Sequence, residues 1–166
     1  MIEYNYPFQE LTKESEVGVE NKKKTEFEIV KVIKVIDGDT FIISDGRRVR
    51  LIGVNTPEFF PKLERYGKEA KKYTTIKLLG KSIWMQRDVS DVDCYSRLLR
   101  IIWMQKPEND RDVQEIREKM FNAQLILDGF AEVATFYPDV KYSDYFRCFA
   151  REALSRKSKV QREGTL

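Results

Sequence analysis

The sequence predicts a small α+β protein, a five-stranded β-barrel with three α-helices packed outside it. The chain has 166 residues, which is enough for one domain but not for several. Apolar residues make up 42% of the chain and supply a hydrophobic core. Short segments rich in Val and Ile, bounded by turn residues, alternate with segments of helical periodicity.

The first three strands are predicted in quick succession. Residues 27–36 are rich in Val and Ile, and residues 40–44 follow after a short turn. Asp45-Gly46 is a hairpin signal, and it leads into a third strand over residues 48–54. Because tight turns join antiparallel neighbours, we expect these three strands to pair in order.

A helix and two more strands complete the predicted barrel. Apolar residues recur near helical spacing over residues 66–79, and Gly80 ends that helix. Strands are predicted over residues 82–87 and 98–104, and the polar stretch 88–97 joins them.

Two further helices are predicted in the last third of the chain. Apolar residues recur at helical spacing from Val113 to Leu127, and Gly129 is a stop signal. Residues 143–159 form the third helix, whose basic end suits the helix dipole. We expect residues 1–25, which are polar, to be a flexible extension of the domain formed by residues 26–166.

The residue counts exclude several classes of chemistry. The chain has no His, which excludes Ser-His-Asp and Cys-His catalysis and any His-ligated metal. With only two Cys, a four-ligand zinc site of Cys and His cannot be built. A bound metal would therefore be held by oxygens, which favours Ca²⁺ or Mg²⁺.

Other global features are less decisive. The net charge of +3 is too small by itself to indicate a nucleic-acid-binding protein. Cys94 and Cys148 can pair or stay reduced. No apolar run reaches membrane-spanning length and no signal peptide is visible, although a removed signal would leave the same sequence, so the compartment stays open. We expect a monomer with no membrane association and no obligate protein partner.

Two arginines stand in segments that could bind a phosphate. Arg50 lies on a strand that runs into the polar loop 53–58, and Arg97 lies at the start of the strand 98–104. Each segment taken alone is an ordinary turn or surface loop. Arginine side chains are always charged, however, and their planar guanidinium groups match phosphate oxygens.

Oxygen donors and a candidate base occur in the same part of the chain. Asp39, Asn55 and a backbone carbonyl in the loop that follows could bind a hard cation. Glu58 is the only nearby group able to accept a proton from water. Tyr95 and Tyr137 could flank a nucleotide base. Two arginines, an oxygen-bound metal and a carboxylate base are what phosphodiester hydrolysis requires in the absence of His.

Four motifs in order resemble the staphylococcal nuclease family of thermonuclease-like domains. They are Ile36-Asp37-Gly38-Asp39-Thr40, Arg50-Leu51-Ile52-Gly53-Val54-Asn55-Thr56-Pro57-Glu58, Tyr66-Gly67-Lys68-Glu69-Ala70 and Asp93-Cys94-Tyr95-Ser96-Arg97-Leu98. The resemblance covers about residues 31–159. It implies a five-stranded barrel of the OB type with three helices. It also implies Ca²⁺-dependent endonuclease activity on DNA, RNA or both.

The resemblance also implies a role for nine residues. The implied catalytic residues are Arg50, Glu58 and Arg97, with Glu58 as the general base. The implied metal ligands are Asp39, Asn55 and the backbone carbonyl of Thr56. Three more residues belong to the implied substrate site: Asp37 next to the metal ligands, and Tyr95 and Tyr137 against the nucleotide.

The sequence departs from the family pattern in two notable places. Asn55 stands where the family usually has Asp, which removes one negative charge, so we expect weaker Ca²⁺ binding. The connection over residues 105–121 is longer than usual and has no evident purpose.

Two other functions are compatible with the sequence. The first is a noncatalytic OB-fold module that binds nucleic acid and whose metal site is weakened at Asn55. The second is a protein-interaction module that uses the pair Phe59-Phe60 as its contact. Packing of that pair against the first helix is the favoured alternative.

Overall fold

The computed structural model describes residues 26–58 and 64–163, apart from the side chains of residues 159–163. The expected flexible extension over residues 1–25 and the pair Phe59-Phe60 lie outside the described residues. The strands are β1 (Phe27–Asp37), β2 (Thr40–Ile43), β3 (Arg48–Leu51), β4 (Val54–Asn55), β5 (Ser82–Gln86), β6 (Leu98–Trp103) and β7 (Glu132–Val133). The helices are α1 (Gly67–Leu78), α2 (Val113–Lys119), α3 (Phe121–Leu127) and α4 (Ser143–Glu163).

Five of these strands close into a barrel in the order β1-β2-β3-β6-β5, which confirms the predicted fold class. Four of the five pairings are antiparallel, and β3 pairs with β6 in parallel. The long strand β1 pairs with β5 through its first half and with β2 through its second half. Two irregularities in the β1–β2 register let the strand bend around the barrel.

The described residues contain four helices where the sequence predicts three. The predicted helix from Val113 to Leu127 is broken at Met120, whose backbone is extended with φ −87° and ψ 119°. Met120 is fully buried and forms an isolated bridge with Trp103, while the Met104 N–H donates to the Lys119 carbonyl at 2.8 Å. Packing against the barrel therefore outweighs the helical periodicity of the segment.

The predicted third strand is also divided. It ends at Leu51, and the chain resumes as β4, which pairs with β7 in a separate two-stranded ribbon. Gly53 lies at the division with φ +77°, a backbone conformation that favours glycine. A Cβ at this position would lie 2.5 Å from a ring carbon of Phe146 on α4, so α4 packs directly on this turn.

A buried amide fixes the helices to the barrel next to this turn. Asn122 on α3 is fully buried, its Oδ1 accepts from the Ile102 N–H at 2.9 Å and its Nδ2 donates to the Ile52 carbonyl at 2.8 Å. This side chain links α3 to β6 and to the loop after β3. The backbone that presents the polar loop 53–58 is thereby held in place.

Two further expectations concern the cysteines and the membrane. Cys94 and Cys148 are both free, and Cys94 is exposed. Within residues 26–58 and 64–163, no helix is both long enough and apolar enough to cross a membrane.

Candidate active site

The Arg50 side chain extends from β3 and is fixed by four oxygens. Its Nη1 donates to the Leu51 carbonyl at 2.7 Å and to the Val54 carbonyl at 2.8 Å. Its Nη2 donates to Oδ1 of Asn55 at 3.1 Å and lies 3.3 Å from Oδ2 of Asp39. The guanidinium is therefore largely buried and has one orientation.

Asp39 is held from the opposite side. It is only 6% exposed, and its carboxylate accepts from the Thr40 hydroxyl and the Thr56 N–H, each at 2.9 Å. Gly38 permits this close approach, because a Cβ there would lie 2.8 Å from Thr56 side-chain atoms. The Gly38 carbonyl in turn accepts from the buried hydroxyl of Thr74 on α1 at 2.6 Å. The backbone at Gly38 and at Thr56, on either side of Asp39, is thus held by buried contacts.

Arg97 is oriented by a carboxylate four residues earlier. Its Nε donates to Oδ2 of Asp93 at 2.7 Å, and the same carboxylate accepts from the backbone N–H groups of Arg97 and Tyr95. Ser96 lies between them with φ +60°, which completes a tight loop. Burial raises the pKa of Asp93, but these hydrogen bonds outweigh it, and the pKa lies below its usual value. Asp93 is therefore ionised near neutral pH.

The two arginines influence each other electrostatically. Burial lowers the pKa of the Arg50 guanidinium, the Asp39 carboxylate opposes this shift, and the positive charge of Arg97 adds to it. Arginine nevertheless stays protonated in proteins. Two cations that repel each other beside one cleft favour the binding of an anion between them.

A cleft of about 400 Å³ contains both arginines and both predicted tyrosines. Tyr95 is 74% exposed and Tyr137 is 87% exposed, and both line the cleft with Arg50 and Arg97. The guanidinium of Arg97 lies over the Tyr95 ring, 5.2 Å from its centroid. The charged groups form the floor of the cleft, and the aromatic rings form its rim.

Two predicted residues lie at the margin of this arrangement. Asp37 ends β1 opposite Thr40, and its charge raises the pKa of Arg50 by a small contribution. Glu58 is exposed, and its backbone exchanges hydrogen bonds with Glu64, whose carboxylate accepts from the Glu58 N–H at 2.9 Å. Among the described residues, no hydrogen bond or ion pair joins the Glu58 carboxylate to the Arg50 cluster.

Comparison with known proteins assigns most of the chain to one family. The sequence model of the family described as staphylococcal nuclease homologue matches residues 48–161. The chain belongs to the staphylococcal nuclease family.

Three relatives of this staphylococcal nuclease homologue carry nuclease names. The thermonuclease of Staphylococcus hyicus is 32% identical over 136 residues, which are 78% of this chain and 73% of the relative. The thermonuclease of Staphylococcus intermedius is 35% identical over 136 residues, which are 78% of this chain and 71% of the relative. The endonuclease YncB of Bacillus subtilis strain 168 is 32% identical over 139 residues, 79% of this chain and 60% of the relative.

The donors around Arg50 in this staphylococcal nuclease homologue suit a hard cation in kind but carry little charge. Oδ2 of Asp39 and Oδ1 of Asn55 both lie within 3.3 Å of the same Arg50 nitrogen, so they are close to each other. Only one of the two is a carboxylate. No group of three or more Asp, Glu, His or Cys side chains suited to a metal occurs among residues 26–58 and 64–163. Oxygen ligands with a single negative charge fit weak Ca²⁺ binding.

Sequence reasoning missed two residues of the cleft. Phe136 is 70% exposed and lines the cleft beside Tyr137, and none of the motifs includes it. Asp139 also lines the cleft and is buried. Asp93 did carry a signal, because an Asp at the start of a turn accepts from the backbone N–H two residues later, as Asp93 does from Tyr95.

Proposed function

We propose that this chain is a Ca²⁺-dependent nuclease that hydrolyses phosphodiester bonds in DNA, RNA or both. The observation that carries the proposal is the convergence of Arg50 and Arg97 on one cleft beside Asp39 and Asn55. The nuclease names of the relatives support the same reaction class. A cleft that bound only an apolar ligand would not need two mutually repelling guanidinium groups on its floor.

In the proposed reaction the two arginines bind the scissile phosphate. Arg50 and Arg97 donate hydrogen bonds to its non-bridging oxygens, where negative charge grows as water attacks phosphorus. Arg97 needs little reorganisation when the phosphate arrives, because Asp93 already fixes its guanidinium. The Nη atoms of Arg50 contact Asp39, Asn55 and two carbonyls, which leaves its Nε–H directed at the phosphate in the proposed reaction. As the new bond forms, the bond from phosphorus to the leaving oxygen breaks.

Glu58 is the proposed general base. Its carboxylate is exposed and lies three residues after Asn55 in the same loop, and in the proposal it takes the proton of the attacking water. The cluster around Arg50 does not hold Glu58 in place, so its final position is expected to depend on bound substrate.

Asp39, Asn55 and the Thr56 carbonyl are the proposed ligands of Ca²⁺, which when bound would polarise the phosphate and help to orient water. Asp39 contributes the one full negative charge of this set. The Thr56 N–H bond to Asp39 keeps the Thr56 backbone next to that carboxylate.

The exposed rings at the rim are the proposed contacts for nucleotide bases. Tyr95 and Tyr137 can stack on bases of any identity, since every base has a π face. Stacking of this kind requires unpaired bases, so single-stranded substrates are the appropriate first test.

The test is digestion of single-stranded DNA and RNA by the purified chain, in Ca²⁺ and in EDTA. Glu58→Gln is prepared in parallel and controls for a contaminating nuclease. We expect cleavage that requires Ca²⁺ and that the variant lacks. Equal cleavage by the variant and the wild type would refute the role of Glu58.

A noncatalytic nucleic-acid-binding module is the second candidate, and Asn55 is the observation that favours it. The Arg50 guanidinium already lies between Asp39 and Asn55, so the pair has a positively charged partner without a metal. This candidate predicts salt-sensitive binding of oligonucleotides with no product in Ca²⁺, Mg²⁺ or Mn²⁺.

Asn55→Asp tests whether the missing negative charge at this position weakens Ca²⁺ binding. The added carboxylate should tighten Ca²⁺ binding by about tenfold or more, because Ca²⁺ affinity rises with ligand charge. Isothermal calorimetry with CaCl₂ measures the change, and Asn109→Asp, which adds the same charge in an exposed loop away from the cleft, is the matched control. Equal affinity in wild type and Asn55→Asp would contradict Asn55 as a ligand.

A further inference from the structure

The long connection between β6 and α3 is clamped to the rest of the domain. We call residues 104–120 the connecting segment. Its base is closed by the bond from the Met104 N–H to the Lys119 carbonyl. Arg117 in α2 donates to both carboxylate oxygens of Glu152 in α4, at 2.7 and 2.8 Å. The segment is thus a fixed part of the domain.

Asp110 attaches the other end of the connecting segment to the barrel. A single oxygen, Oδ2, accepts from Nε2 of Gln86 at 2.7 Å and from Nζ of Lys141 at 2.5 Å. The Tyr142 hydroxyl lies 3.2 Å from the same oxygen and 3.0 Å from Oε1 of Gln86. Since Gln86 and Tyr142 are buried, Asp110 completes a polar network that would otherwise have unpaired groups.

The turn that carries Tyr137 is anchored close to this network. The Asp139 N–H donates to the Phe136 carbonyl at 2.9 Å, which closes the turn. The buried Asp139 carboxylate accepts from the N–H groups of Val89 and Ser90, at 3.0 and 2.8 Å. Because the Tyr137 ring is almost fully exposed, its position depends on these backbone anchors and not on packing.

Lys141 joins the turn to the connecting segment. Its backbone N–H donates to Asp88 at 2.9 Å, and its side chain pairs with Asp110. The ammonium and the carboxylate are each about 20% exposed, so the pair is shielded more than a surface ion pair. Lys141 lies only two positions after Asp139, so displacement of Lys141 would disturb the backbone anchor of the turn at Asp139.

We propose that Asp110 is a positioning residue, which through Lys141 holds the 136–141 turn so that Tyr137 faces the cleft and stacks on a base of a single-stranded nucleic acid. The connecting segment then has a purpose: it stabilises one side of the aromatic rim. This inference rests on the proposed function, and it adds a residue that touches neither substrate nor metal.

The first measurement is amide hydrogen exchange, which does not depend on activity. Asp110→Asn removes the charge that pairs with Lys141 but keeps an acceptor for Gln86, and Asp110→Ala removes both. We expect the amides of Val89, Ser90 and Lys141 to exchange at least tenfold faster in both variants. The Ile102 amide, bonded to the buried Asn122, reports global opening and should not change.

The matched control is Asp112→Ala in the same segment. Asp112 caps α2 by accepting from the Glu115 N–H, and it has no described bond to the turn. This variant should leave exchange in the turn unchanged. Unchanged exchange in the Asp110 variants, or equal acceleration in Asp112→Ala, would overturn the role of Asp110.

The second measurement is a double-mutant cycle on the affinity for a fluorescent single-stranded oligonucleotide. Asp110→Ala should weaken binding about fivefold to twentyfold and raise KM with kcat within twofold. In the Tyr137→Ala background the same change should have almost no effect, because the ring that it positions is gone. Equal weakening in both backgrounds would overturn the proposal.

The two measurements separate failure of this inference from failure of the proposed function. If the wild type binds no oligonucleotide, the proposed function fails and the role in base binding fails with it. If the wild type binds the oligonucleotide but amide exchange in the turn is the same in the Asp110 variants as in the wild type, only this inference fails.

Discussion

Arg50 at the floor of the cleft and Asp39 beside it are held by carbonyls, hydroxyls and N–H groups on several sides. Tyr95 and Tyr137 at the rim instead leave most of their rings in solvent. The floor is fixed through buried side chains, and the rim is fixed through its backbone. Fixed charges suit the transition state of a reaction, and exposed rings suit the binding of varied bases. Substitutions on the floor should therefore change turnover, and substitutions at the rim should change affinity.

The largest effect is expected for Arg50→Lys. A lysine keeps the positive charge but has no planar guanidinium. Its single ammonium therefore cannot bond the Leu51 and Val54 carbonyls and a phosphate at the same time. Removal of one contact to the growing charge typically costs about 2.7–4 kcal/mol, so kcat should fall by roughly 100-fold to 1,000-fold. Single-turnover cleavage with a saturating oligonucleotide measures it, and circular dichroism confirms the fold. A kcat within threefold of the wild type would contradict the floor's role in turnover.

Gly38→Ala should disturb the floor without changing any charge. The added Cβ would collide with Thr56 at 2.8 Å and with the Cβ of Ala70 at 2.9 Å, so we expect a loss of about 1–3 kcal/mol of stability and a marked loss of turnover. Gly46→Ala is the control, because nothing lies within 4 Å of that Cβ and the residue does not line the cleft. Gly46→Ala should lower stability but leave turnover unchanged, because the φ of +88° at this position is unfavourable for alanine. Urea denaturation and turnover of both variants test the contrast.

A prediction for the rim is made with Tyr137→Ala. Loss of one stacking ring typically costs about 1–3 kcal/mol per base, which is roughly fivefold to 150-fold in affinity. We expect the loss to appear in KM and in oligonucleotide affinity with little change in kcat. Tyr66→Ala removes an exposed tyrosine that does not line this cleft and is the matched control. A fall in kcat alone would show that the division between floor and rim is wrong.

The smallest effect is expected for the pH dependence of Asp93→Asn, which lies between the two regions. Because the pKa of Asp93 is lower in the folded chain than in the unfolded chain, its contribution to stability is present above about pH 4. That contribution is lost as the pH falls through the lowered folded value. The variant should be less stable than the wild type by about 1 kcal/mol at pH 6, with a smaller difference near pH 3. A difference that does not vary with pH would contradict this assignment.

Local sequence signals predicted the barrel well because the barrel strands are apolar segments with β-branched or aromatic residues, bounded by turn residues. They missed the break at Met120, since it arises from the contact with Trp103 on another strand. The motifs placed Asp39, Arg50 and Asn55 near one another, and the structure brings them together. Asp110 could not be found in this way, because its partners Gln86 and Lys141 are 24 and 31 residues away. No local spacing signals a network that only the closed barrel assembles.

The parallel pairing of β3 with β6 brings the two arginines beside one cleft. Arg50 lies on β3, Arg97 immediately precedes β6, and Val49 is opposite Leu98 in the register. In the closed barrel β3 is the only one of the first three strands that pairs with β6, while β1 pairs with β5. A chain still emerging from the ribosome has Arg50 but lacks the strand that brings Arg97 beside it. Under the proposed function, the growing chain is therefore unable to cleave the RNA from which it is being translated until β6 is free to close the barrel.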